Sequence, residues 1–157
     1  MATPTNLPAA QTTGNVLTAA YVNDLRGAFR VLQVVMGSYA TTTSSTSATY
    51  ADSGLTANIT CASNTNKVLV LVNQSVYTDA TNQDINNRLV RGSTTLQTSL
   101  ATINIGVGVY VVHYLDSPAS TSALTYKTQF ARGSGSGTVY VNPNSNVANI
   151  ILCEISA

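Results

Sequence analysis

The pattern of apolar and polar positions divides the chain into three parts. Residues 1–17 hold Pro4 and Pro8 among small polar side chains and show no periodicity, which predicts an extended arm with no core of its own. Over residues 18–37 apolar positions recur every three or four residues. Leu17, Tyr21, Leu25, Ala28, Leu32 and Val35 form a stripe that Val22, Phe29 and Met36 widen, and this spacing predicts one amphipathic α-helix. Thr18 stands where an N-cap belongs, and Gly37 where a C′ glycine belongs. The stripe is wide for a helix of this length, so it is expected to pack on something.

Beyond residue 37 the period changes. Ala40 to Thr49 are small and mostly hydroxylated; residues 38–45 read as an extended connector and Thr46 to Ala51 as a first strand, since Thr is a good strand former. "KVLVLVNQSVY" (67–77) opens as an unbroken Val/Leu run, the mark of a strand covered on both faces. "ALTYKTQFA" (123–131) alternates, with Leu124, Tyr126, Thr128 and Phe130 on one side and Thr125, Lys127 and Gln129 on the other. "TVYV" and "VANIILCEI" follow, separated by the turn signal Asn142-Pro143-Asn144. Further strands are expected near 55–61, 86–91, 95–105 and 107–115. About eight short strands predict an all-β domain over residues 46–157, an antiparallel β-sandwich resembling a jelly roll.

Composition sharpens this. A chain of 157 residues suits one domain. Apolar residues make up 44% of it and charged residues only 8%, against a usual quarter. A surface so poor in repulsive charge suits a protein packed against neighbours. The net charge is +1 and the seven Lys and Arg are scattered, which removes the electrostatic case for a nucleic-acid partner. No apolar run reaches the roughly 18 residues of a membrane span, so no membrane partner is expected. "MATPTNLPAAQ" lacks the positive charge and apolar core of a signal peptide.

Candidate chemistry is sparse. His113 is the single histidine, in "VYVVHYLDSP"; alternation puts it on the opposite face from Asp116, so it reads as a sheet-face or subunit-contact histidine rather than part of a triad. The acids Asp24, Asp52, Asp79, Asp84, Asp116 and Glu154 form no obvious general acid/base pair. "DATNQD" (79–84) offers oxygen ligands but lacks the glycine and bidentate Glu of a calcium loop. "RGSGSG" (132–137) shares only its glycines with a phosphate loop. Cys61 and Cys153 lie in strand-like segments and read as buried free thiols, with a disulfide left open; with one His they are too few for structural zinc. No catalytic residue, cofactor or metal site is expected.

Several segments carry a resemblance. "VLTAAYVNDLRGAF" (16–29) resembles the opening of many tailed-phage fibre and virion-surface proteins. "D-x-G-L" at Asp52 to Leu55, "K-V-L-V" at Lys67 to Val70, "R-G-S" at Arg91 to Ser93 and "Y-L-D-S-P" at Tyr114 to Pro118 resemble a β-domain of tailed-bacteriophage virion surfaces, of the capsid decoration (cement) or tail-fibre knob type. The resemblance implies a non-enzymatic homotrimer on the virion, made in the host cytoplasm. Only an arm and a helix precede the β-domain here, which fits decoration better than a long fibre. On that reading Pro4, Leu7, Pro8 and Val16 dock on the major capsid protein. Leu17, Tyr21, Leu25, Phe29, Leu32 and Val35 pack against symmetry mates. The alternative is the receptor-binding knob of a short tail fibre, gripping a host surface glycan around residues 77–87. A polysaccharide hydrolase would need paired carboxylates in a groove, for which the sequence is poorly supplied.

Overall fold

Strand pairing takes over where the helix was expected to continue. The computed structural model describes residues 31–156. In chain order these form β1 (Val31–Tyr39), β2 (Thr43–Ser45), β3 (Ala51–Thr60), β4 (Lys67–Thr78), β5 (Gln83–Arg91), β6 (Thr94–Ile103), β7 (Gly106–Asp116), β8 (Ala123–Arg132), β9 (Val139–Val141) and β10 (Ala148–Ile155). A single 3-10 turn over Pro143–Ser145 sits at the turn signalled in the sequence.

The helix predicted over 18–37 is corrected in its last seven residues, which lie in β1; residues 18–30 fall outside the described part. Leu32 and Val35, expected on a helical stripe, are strand residues, and Val35 packs against the core. "VLQVVMGSY" satisfies either period, and pairing decides between them. β1 runs antiparallel to β10 from Val34↔Cys153 to Tyr39↔Ala148, so Val35, Gly37 and Tyr39 turn inward and Val34, Met36 and Ser38 outward. Gly37 is therefore no helix C′ residue. It lets β1 cross β3 so closely that a Cβ would lie 2.0 Å from the Thr56 carbonyl oxygen. Of the expected connector, Ser38 and Tyr39 end β1 and Thr43–Ser45 form β2; the strand expected from Thr46 begins at Ala51.

All pairings are antiparallel and fall into two sheets. In the first, β4 is central: β7 pairs along one edge, and β10 then β9 share the other, with β1 outside β10 and β2 outside β9. The sheet is thus four strands wide. The second has the order β3-β8-β5-β6. Its β5–β6 hairpin turns on Gly92-Ser93, with Gly92 at φ +56°, as a type II′ turn asks of its first central residue.

The inward faces of both sheets meet in one core. Leu55 and Ile59 (β3), Val68, Val70 and Val72 (β4), Ile85 and Leu89 (β5), Tyr126 and Phe130 (β8), and Ile150 and Leu152 (β10) are all buried. Polar groups stitch the layers together where apolar ones do not. Ser53 shares a 2.5 Å hydrogen bond with Thr128, Thr128 Oγ1 donates to Gln74 Oε1 at 2.8 Å, and Gln74 Nε2 donates to Asn142 Oδ1 at 3.1 Å. This buried chain crosses from one sheet to the other, and each member is satisfied by the next.

The segments that carried the resemblance end in such contacts. Arg91 of "RGS" pairs with Asp116 of "YLDSP", and the Tyr126 hydroxyl donates to the same Asp116 Oδ2 at 2.6 Å. Asp52 of "DSGL" accepts from Lys127 Nζ at 2.7 Å and Gln129 Nε2 at 2.6 Å. Gly54 holds φ +91° at the β3 bulge, with the Tyr39 ring where its Cβ would be. Tyr126 is fully buried, so Tyr126→Phe leaves Asp116 short of one donor. The expected cost is about 1–2 kcal/mol, read as a lowered urea midpoint with an unchanged slope. A midpoint equal to wild type would remove the hydroxyl from the account.

Candidate functional site

The two outer faces differ in kind. On the second sheet one row across four strands reads Asp52, Gln129, Arg88 and Thr98. Its groups are tied laterally: Arg88 Nε donates to Gln129 Oε1 at 2.7 Å, and the Arg88 guanidinium lies 4.0 Å from the centre of the Tyr50 ring. Lys127 and Gln129 outweigh the effect of burial and hold the Asp52 carboxyl below its ordinary range. Apart from Leu100, which is exposed opposite Asn86, this face is largely polar and hydrogen-bonded within itself.

The first sheet is the reverse. Its outer rows, read across β1, β10, β4 and β7, are Val34, Cys153, Leu69 and Leu115, then Met36, Ile151, Leu71 and His113, then Ser38, Asn149, Asn73 and Val111. Further along, Val109 lies opposite Ser75, and Val107 opposite Tyr77, which faces Tyr140 with ring centroids 5.5 Å apart. Val34 is 61% exposed, Met36 64%, Val107 60% and Val109 58%. His113 thus sits on an apolar sheet face, on the opposite side of β7 from buried Asp116. A shallow depression lined by Leu71, Val111, His113 and Ile151 marks the middle of the face.

Every described carboxylate accepts hydrogen bonds from a neighbouring strand or loop. "DATNQD" and "RGSGSG", which each resembled an ion site, are partners of one another. Asp79 Oδ1 accepts from the Thr138 amide at 2.6 Å, Asp84 accepts from Ser134 and from Thr102, and the Gln83 amide bridges to Ser134 O and Gly137 N. These bonds hold both carboxyls below the ordinary range. Of the residues 77–87 expected to meet a glycan, Asp79, Gln83 and Asp84 make this contact. Glu154 is buried among Gln33, Ala62 and Asn66. Among the described residues no three His, Cys, Asp or Glu side chains gather as a metal site, and no helix is long and apolar enough to cross a membrane.

The thiols part company. Cys61 is buried, and burial followed by the Glu154 and Asp116 charges pushes its thiol up. Cys153 is also free but half-buried on the outer apolar face, so the expectation of two buried thiols holds for Cys61 alone. Pro4, Leu7, Pro8, Val16, Leu17, Tyr21, Leu25 and Phe29 lie outside the described residues. The apolar face itself was missed as a site, though the unbroken "KVLVLV" run was its signal.

No protein-family model matches the chain, and neither does any curated protein. Among solved structures it is similar to a chain of the T13 infectious bursal disease virus particle, at 11% identity over 82% of this chain and a TM-score of 0.48. It is similar to the Gx strain of the same virus at 12% identity over 80% of this chain and 37% of that one, TM-score 0.45, and to a CBM4 protein at 12% identity over 67% of this chain and 69% of that one, TM-score 0.38. The chain spans 38% of the length of the first of these.

Proposed function

We propose that this chain is a structural virion protein of a tailed phage, a homotrimeric capsid decoration protein that binds the major capsid protein through its N-terminal region and reinforces the shell. The observation that carries this reading is the use made of the motif residues. Arg91, Asp116 and Asp52, which underlie the phage resemblance, are engaged in contacts that hold strands together. With each broken strand counted once, the sheet orders become 1-8-3-6 and 2-7-4-5. This order, with β1 and β2 taken as one strand and β9 and β10 as another, supports reading the sandwich as a jelly roll, a fold used in viral capsids and lectins. The charge-poor composition and the apolar outer sheet add to it, because both suit a protein that lives against neighbours.

The test is binding to expanded capsids. Deleting residues 2–16 is expected to abolish decoration, measured by co-sedimentation, while the strand circular-dichroism spectrum is kept. Normal binding by the deleted protein would overturn the docking role of the arm. The knob reading has one observation in its favour: Tyr50, with Arg88 stacked on it, lies on the hydrogen-bonded polar sheet beside Asn86 and Thr98. Copies per particle separate the two, hundreds for decoration against a few dozen or fewer for a fibre.

A further inference from the structure

β4 opens "KVLVLV", apolar on both sides. Strands of that pattern are covered on both faces, yet only Val68, Val70 and Val72 are buried, and Leu69 and Leu71 stand half-buried on the outer side. The same holds along β7, where Val111 is 50% and Leu115 53% exposed. With Val34 and Met36, the exposed side chains of this face offer on the order of 600 Å² of apolar surface. That reaches the largest patch a monomer ordinarily leaves open, a few hundred Å². It also approaches the roughly 800 Å² per partner of a specific protein interface.

We infer that the outer face of the first sheet is the surface through which copies of this chain meet. Each copy turns the rows from Val34 to Leu115 and from Met36 to His113, together with Val111 and Val109 farther along β7, toward a shared axis, where they close on the same side chains of its neighbours. The chemistry selects that occupant. Apart from Lys67 at one end, Asp79 beside Tyr140 at the other, and His113, the described face carries no charge-forming side chain but the Cys153 thiol, so no cluster of like charge marks it for a phosphate or for an acidic or basic peptide. Apolar rows of the same kind are what it fits, and the neighbouring copies around the axis bring them. The contact would also shield β7, whose outer edge pairs with no strand of the described chain. The inference rests on the trimer reading and adds its interface, which moves from the stripe expected over residues 17–35 to the sheet.

The test uses the full chain. Light scattering at micromolar concentration is expected to give a trimer for wild type and a monomer for Val109→Asp/Val111→Asp with an unchanged strand spectrum. Both side chains point outward, and Val109→Ser/Val111→Ser is a milder pair should the first misfold. Maleimide labelling of Cys153 supplies a readout in wild type, with buried Cys61 as internal control. Labelling is expected at least about tenfold slower in the trimer than in the monomer reached by dilution. A trimer that survives both double substitutions, or that labels at Cys153 as fast as the monomer, overturns this interface and leaves the trimer standing. Slow labelling in trimer and monomer alike means that the chain covers its own face, which also overturns it. A wild-type monomer at micromolar concentration overturns the trimer and the interface together.

Discussion

Replacing Glu154 with alanine is expected to cost the fold about 4 kcal/mol, since three neutral donors lose a shared charged acceptor, each such bond counting for about 1.5–3 kcal/mol at most. Glu154 has no exposed surface. Gln33 Nε2 reaches Oε2 at 2.6 Å, while the Ala62 amide at 2.7 Å and Asn66 Nδ2 at 2.6 Å converge on Oε1. These donors come from β1 and from the loop between β3 and β4, so one carboxylate fastens both to β10. Alanine leaves them facing an empty site, where each bond lost without replacement costs about 1–3 kcal/mol, while Gln33 Nε2 keeps its bond to the Thr60 carbonyl at 2.7 Å. Glutamine keeps one oxygen for two donors, and Gln33 can present its own oxygen to the new amide, so Glu154→Gln is expected to lose only about 1–2 kcal/mol. Urea midpoints at one fixed protein concentration would show the ordering. An alanine variant within about 1 kcal/mol of wild type would mean that the network holds nothing together.

The same group makes stability depend on acid. Burial alone would push the Glu154 carboxyl up, but the hydrogen bonds from Gln33, Asn66 and the backbone of Ala62 and Ser63 outweigh it and hold it below the ordinary glutamate range. A carboxylate lowered in the folded state stabilises fully above its unfolded pKa of about 4.3 and loses that contribution as pH falls through the folded value. Wild type is therefore expected to lose stability below about pH 4, and Glu154→Gln to lose less over the same interval. Parallel slopes in the two proteins would exclude Glu154 as the source.

How much of this was legible in the sequence depended on how local the deciding contact is. The alternation in "ALTYKTQFA", the turn at Asn142-Pro143-Asn144 and the opposite placement of His113 and Asp116 all follow from period two along one strand. They stand in the structure as read. Residues 31–37 misled because Val31, Leu32, Val34, Val35 and Met36 fit either period. The arbiter is β10, more than a hundred residues away. The loops 79–84 and 132–137 could not be read singly, since each supplies the other's hydrogen-bond partners. The apolar face was visible as an unbroken run, but it read as burial by the chain's own layers. Only the sheet order shows that one side of β4 faces outward.

Gly37→Ala is the second large effect expected, and it decides between the two readings of residues 31–37. In the strand, a Cβ at position 37 would stand 2.0 Å from the Thr56 carbonyl oxygen, 2.9 Å from its carbon and 3.1 Å from the Ala57 Cβ. Two of those atoms are backbone and cannot rotate aside, so β1 must lift from β3. Overpacking of that kind costs about 3 kcal/mol, and valine more. Gly92→Ala is the control, because a Cβ there meets nothing within 4 Å and suffers only from φ +56°, worth about 1–2 kcal/mol. Were residue 37 the C′ residue of a helix instead, alanine would cost only the left-handed strain, about 1–2 kcal/mol, the same as at position 92. A loss for Gly37→Ala clearly larger than for Gly92→Ala, by urea midpoint, fixes β1 against β3. A loss no larger would return the segment to a helix and take the edge of the apolar face, Val34 and Met36, with it.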